Sequence, residues 1–145
     1  MTGIPAAPAA VAHVSGGAQG SCGRVFFYCH PRGTWVEADI RGLPESDTGF
    51  FAFHIHEGRD CGGEDFAHTG AHFNPKGLPH PCHAGDLPPL LSAGGCARMG
   101  VLTDRFRVAD ILGRTVVIHR NPDDFRTQPA GNAGTKIACG VICPL

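Results

Sequence analysis

The sequence predicts an all-β domain, a Greek-key β-sandwich or flattened barrel of about eight antiparallel strands with two long functional loops. Three observations lead there. Glycine and proline number 21 and 12 in a chain of 145 residues, and these are the two poorest residues in a helix interior. Short runs rich in β-branched and aromatic residues recur along the chain, bounded by Gly, Pro, Asn and Asp. The hydrophobic fraction of 42%, the charged fraction of 17% and the net charge of −1 are those of a folded globular chain. A chain of this length buries a core of its own, so residues 1–145 are read as a single domain.

The first residues, with Pro5 and Pro8, read as an extended lead-in to a strand ending near Val14. Ser15 to Gly20 is a loop. Gly23–Cys29 and Thr34–Leu43 form a hairpin, with Pro31-Arg32-Gly33 supplying the turn. Gly49–Gly58 is the next strand, with Phe51, Phe53 and Ile55 on one face and Ala52, His54 and His56 on the other. From Arg59 to Pro89 apolar periodicity stops, and an irregular stretch of that length in a compact domain is either functional or disordered. Strand patterning returns at Ala97–Leu102, Gly113–His119 and Thr135–Ile142. Arg107–Leu112 reads as a short helical turn, and Arg120–Gly134 as a second loop.

Several classes drop out. No apolar run approaches the ~18–20 residues that cross a bilayer, and the apolar N-terminus lacks the positive segment of a secretory signal. No membrane partner is expected, and the compartment is read as cytoplasmic or that of a processed exported form. With 12 basic and 13 acidic residues there is no basic stripe, so no nucleic-acid partner is expected.

The histidines carry the chemistry. His54 and His56, two apart on a strand, present two imidazoles on one face. The first loop adds His72, His80, His83 and Asp86, and three imidazoles with a carboxylate suit a tetrahedral zinc shell. The bland reading is a solvated loop with incidental histidines, but a metal ion would order a stretch that nothing else orders. His119 ends another strand and joins His54 and His56 if the two strands are neighbours. A site made largely of imidazoles suits copper.

The blocks FHIHEG, GAHFNP, HAGDL, GRTVVIH and GNAGTKIACGVI, in that order, resemble the signature blocks of copper/zinc superoxide dismutases. The resemblance covers nearly the whole chain and points to a bacterial-type variant. It implies that copper is held by His54, His56, His72 and His119, and zinc by His72, His80, His83 and Asp86. His72 would then be a shared imidazolate. The implied reaction is disproportionation of superoxide to oxygen and hydrogen peroxide by a copper redox cycle. His72 and Lys136 would be the catalytic residues, His72 through a proton and Lys136 by guiding the anion. Asp123 aligns with the family's aspartate that joins a copper ligand to a zinc ligand, here His54 and His80, with Asp124 as the alternative candidate. Cys61 and Cys139 match the family's intrasubunit disulfide, which leaves Cys22, Cys29, Cys82, Cys96 and Cys143 without a role. Cys82, between His80 and His83, is read as non-ligating.

The chain also departs from the family pattern. Lys136 stands where members usually have arginine, and Ala130 where many have a channel threonine. Lysine keeps the charge without the planar guanidinium fork, so retained but reduced activity is expected. The second loop is short, leaving Arg120 and Arg126 as basic candidates near the channel. Only Pro81 and Cys82 separate His80 from His83. The alternative reading is a non-catalytic or weakly active copper- and zinc-binding protein on the same scaffold. Lys136 favours it, and the complete ligand set opposes it. Members of the family pair through different surfaces or not at all, so a homodimer is one expected assembly.

Overall fold

In chain order the strands are β1 (Ala10–Ser15), β2 (Cys22–His30), β3 (Gly33–Arg41), β4 (Phe50–Phe51), β5 (Phe53–His56), β6 (Leu90–Leu91), β7 (Ala97–Thr103), β8 (Thr115–His119) and β9 (Lys136–Pro144). One helical turn, α1 (Val108–Ile111), and a 3-10 segment at Glu64–Thr69 accompany the strands. This is a computed structural model, and it describes residues 3, 6–17 and 20–145. Pro5 of the expected lead-in lies outside them.

Alternation explains the strands. In β3, Val36, Ala38 and Ile40 are buried in the core, while Glu37 and Asp39 face away from it. β2 supplies Val25 and Phe27 to the same core, and β2 and β3 pair from Cys22–Arg41 to His30–Gly33 around the expected turn. Phe51, Phe53 and Ile55 are fully buried in that core, as the period-two reading requires.

Seven strands make one antiparallel sheet in the order β5-β8-β9-β1-β2-β3-β7, and β4 pairs with β6 as a separate ribbon. The ribbon spans the gap between the sheet's edges, because β4 runs on into β5 at one edge and β6 lies against β7 at the other. The sheet is thus curled into a flattened barrel. β7 and β8 follow one another in sequence yet sit toward opposite edges, so residues 104–114 cross the barrel end as a Greek-key connection.

One sequence expectation changes, and one strand is new. Gly49–Gly58 is two strands rather than one, broken at Ala52. There the backbone leaves the ribbon: Ala52 N–H donates to Asn121 O at 2.8 Å and Ala52 O accepts from His119 N–H at 2.9 Å. β6 has no counterpart among the strands read from the sequence, because two residues show no periodicity. Its pairing comes entirely from Phe50 and Phe51 opposite.

Candidate metal centre

β5 lies at the edge of the seven-stranded sheet, and an open edge leaves backbone donors and acceptors to satisfy. The long loop satisfies them. Phe73 N–H donates to Ile55 O, Ile55 N–H to Gly85 O, and Glu57 N–H to Ala71 O, at 2.8, 2.8 and 2.9 Å. This lacing sets His72 opposite His56 and Asp86 opposite His54. On its other side β5 pairs with β8, which carries His119, and β9 then places Lys136 opposite His119 across a bulge. Strand pairing and these two bridges therefore bring together His54, His56, His72 and His119, which the sequence scatters over more than sixty positions.

His54, His56, His72, His80, His83 and His119 are all buried. One ligand atom from each of His54, His56, His72 and His119 lies within 4.8 Å of the others, and the same holds for His54, His72, His80 and Asp86. His83 adjoins the second group, with its Nδ1 3.2 Å from His72 Nδ1 and 3.3 Å from Asp86 Oδ2. His72 belongs to both groups, and its ring lies against that of His54, tilted by 33° with centroids 3.9 Å apart. The expected zinc set contains His83 where the second of these groups contains His54. His54 has a single free nitrogen, however, which it can give to only one group.

The outer partners decide which ring nitrogens face inward. A carboxylate or carbonyl oxygen only accepts, so the nitrogen touching it carries the proton and the other keeps a lone pair. Asp123 accepts from His54 Nε2–H at 2.9 Å and from His80 Nε2–H at 2.8 Å. Gly70 O accepts from His56 Nδ1–H at 2.9 Å, and Gly134 O from His119 Nδ1–H at 3.4 Å. What remains is a set of converging lone pairs. His54 Nδ1, His72 Nε2 and His80 Nδ1 are buried with no hydrogen-bond partner. His56 Nε2 and His119 Nε2 face each other at 3.2 Å, and His80 Nδ1 lies 3.0 Å from Asp86 Oδ2 without hydrogen-bond geometry. Buried acceptors pointed at one another are costly unless a cation lies between them. The donor set, imidazoles on one side and imidazoles with a carboxylate on the other, fits copper and zinc.

Electrostatics agree with that reading. Burial pushes His56 down to about 2 and His119 to about 3, each repelled further by neighbouring histidines. Burial likewise lowers His54 and His83. These rings stay neutral, as metal ligands must be. For Asp123 and Asp86 burial works in the raising direction, but hydrogen bonds from His54 and His80 to the one, and from His72 to the other, hold both carboxyls below the usual range. Burial also draws down Lys136.

Other expected residues separate cleanly. Asp124, the alternative to Asp123, instead turns the loop, accepting from the amides of Arg126 and Thr127. Cys82 is exposed and stands outside both groups. Cys61 and Cys139 form the disulfide, with Cα atoms 5.8 Å apart and 78 positions between them in sequence. Arg120, expected near the channel, is tied to Glu45 O at 2.7 Å and lies over the Phe51 ring.

Three contributors had escaped the sequence reading. Gln128 grips the main chain of His80 from both sides, Oε1 accepting its N–H at 2.8 Å and Nε2 donating to its carbonyl at 2.7 Å. Arg105 Nη1 donates to Pro81 O and His83 O across the short turn. Gly131, with φ near +69°, leaves room for the aspartate: a Cβ there would lie 2.0 Å from Asp123 Oδ1. Of the three, only glycine in a loop is a sequence signal.

Comparison with known proteins agrees with this geometry. The family profile described as copper/zinc superoxide dismutase (SODC) matches residues 21–142. The superoxide dismutase [Cu-Zn] of Caulobacter vibrioides is 36% identical over 129 residues, covering 77% of this chain and 72% of that protein. Superoxide dismutase [Cu-Zn] 2 of Aquifex aeolicus is 37% identical over 125 residues, covering 76% and 72%. A crystal structure of a double mutant of a SOD-like protein from Bacillus subtilis superposes with a TM-score of 0.79 at 27% identity, covering 92% of this chain and 96% of the other. A profile match that spans most of the residues, on a barrel with histidines converging from β5, β8 and the intervening loop, places this chain in the copper/zinc superoxide dismutase family.

Proposed function

We propose that this chain disproportionates superoxide, 2 O2•− + 2 H+ → O2 + H2O2, with copper and zinc as cofactors. The observation that carries it is the pair of inward-facing donor groups that meet at His72. When bound, copper supplies a one-electron redox couple and zinc a fixed positive charge. His54, His56, His72 and His119 hold copper; His72, His80, His83 and Asp86 hold zinc. Gly70 and Gly134 carbonyls orient His56 and His119, and Asp123 orients one ligand of each group by fixing His54 and His80.

His72 Nε2 is buried and lacks a hydrogen-bond partner, whereas Nδ1 contacts Asp86 at 2.9 Å. Nε2 is therefore the atom at which His72 takes up and gives back a proton on the copper side. Lys136 supplies a cation beside these rings and lowers the proton affinity of His56 and His119. That same charge favours an anionic substrate.

The test is His119→Ala. It should abolish superoxide disproportionation while zinc remains bound in one equivalent, because His119 belongs only to the first group. Full activity in this variant, or loss of both metals together, would contradict the assignment.

A further inference from the structure

Lys136 is held in place. Its Nζ donates to Thr69 Oγ1 at 2.7 Å and to Gly70 O at 3.2 Å. Thr69 is fully buried, and its own hydroxyl hydrogen goes to Phe66 O at 2.8 Å, so its oxygen is left only to accept. Gly70 O is shared, since His56 Nδ1–H donates to it as well. One short stretch of backbone thus anchors both the cation and a member of the imidazole group. An ammonium has three N–H donors, and two are committed here.

The anchoring answers a weakness of lysine. A guanidinium is a planar fork that stays aligned by its own shape, whereas an ammonium is a point charge on a stem with four rotatable bonds. A lysine placed opposite His119 needs an outside group to hold its head. Thr69 ends the 3-10 segment, and its buried hydroxyl, already donating to Phe66 O, presents its oxygen to the ammonium.

We propose that Thr69 is a positioning residue for the superoxide reaction: its hydroxyl fixes the Lys136 ammonium beside His56 and His119 and leaves one N–H for the incoming anion. The inference rests on the dismutase reading above and adds the means by which a flexible lysine acts as a fixed cation.

Thr69→Val keeps the shape and removes the acceptor; Thr69→Ser keeps the acceptor. In protein loaded with both metals, kcat/KM should fall roughly three- to tenfold in Thr69→Val and stay within about twofold of wild type in Thr69→Ser. In a Lys136→Ala background, Thr69→Val should lower it no further. A second readout needs no copper. In zinc-loaded protein carrying 15N-labelled lysine, the Lys136 ammonium signal should be sharp in wild type and Thr69→Ser and exchange-broadened in Thr69→Val. Thr69→Ala replaces the valine variant if that one loses zinc. A fall that persists in the Lys136→Ala background, or a Lys136 signal unchanged by Thr69→Val, would overturn the proposal. Inactive wild-type protein with both metals bound would instead strike the dismutase reading, and the lysine signal would still test the contact.

Discussion

Asp123 shows how much one side chain can settle. With both oxygens accepting, it fixes the tautomers of His54 and His80 and so aims one nitrogen into each donor group. Removing it as Asp123→Ala should weaken zinc about 10- to 100-fold, read by competition with a chromophoric chelator. An unchanged affinity would mean that the rings are oriented by packing alone. Gly131→Ala tests the same point from the backbone, because the new Cβ would meet Asp123 Oδ1 at 2.0 Å and His80 Nε2 at 2.6 Å with φ near +69°. A loss of about 2–4 kcal/mol in urea unfolding is expected, together with weaker zinc binding. The converging histidines and Asp86 were legible as candidates in the sequence because imidazole and carboxylate chemistry belongs to the residue type. Their outer partners were not, since Gly70 and Gly134 act through carbonyls that any residue possesses. The grip of Gln128 on His80 spans 48 positions and follows no spacing rule.

At the scale of elements, the site is a sheet edge completed by a loop. Bridges from His56 to His72 and from His54 to Asp86 do for β5 what another strand would do, and they set the register of these side chains. The loop was recognisable by its missing periodicity, but the way it returns to β5 was not. Likewise Ala52, where the chain passes from ribbon to sheet, looks in sequence like the middle of one strand. The Cys61–Cys139 disulfide ties this loop to β9 and closes a span of 78 positions. Cross-linking so long a segment stabilises by up to about 4 kcal/mol through the unfolded chain. Reduction, or Cys61→Ser, should therefore lower Tm and raise amide exchange at residues 57–73 more than in β2 and β3. Equal changes throughout would show that the disulfide acts on global stability only.

The whole molecule couples this site to its stability. His56 and His119 are kept near 2 and 3 by burial in the fold, while a histidine in the unfolded chain titrates near ~6.5. As pH drops below about 6.5 the unfolded chain gains protons that the folded one refuses, so stability present above that value is lost toward about pH 3. Metal-free protein should thus unfold at lower urea at about pH 4.5 than at about pH 7.5, and identical midpoints would contradict the neutral-ring assignment. The fold class was readable because glycine, proline and alternating strands leave few architectures, whereas strand order depends on pairings far apart in sequence, such as β1 with β9.

The central claim is catalytic, and one measurement meets it directly: the rate of superoxide decay by pulse radiolysis with protein carrying one copper and one zinc per chain. Decay proportional to protein concentration and far above the spontaneous rate is expected, and it should disappear when copper is removed. Both metals bound at one equivalent each, with decay no faster than in buffer, would contradict it.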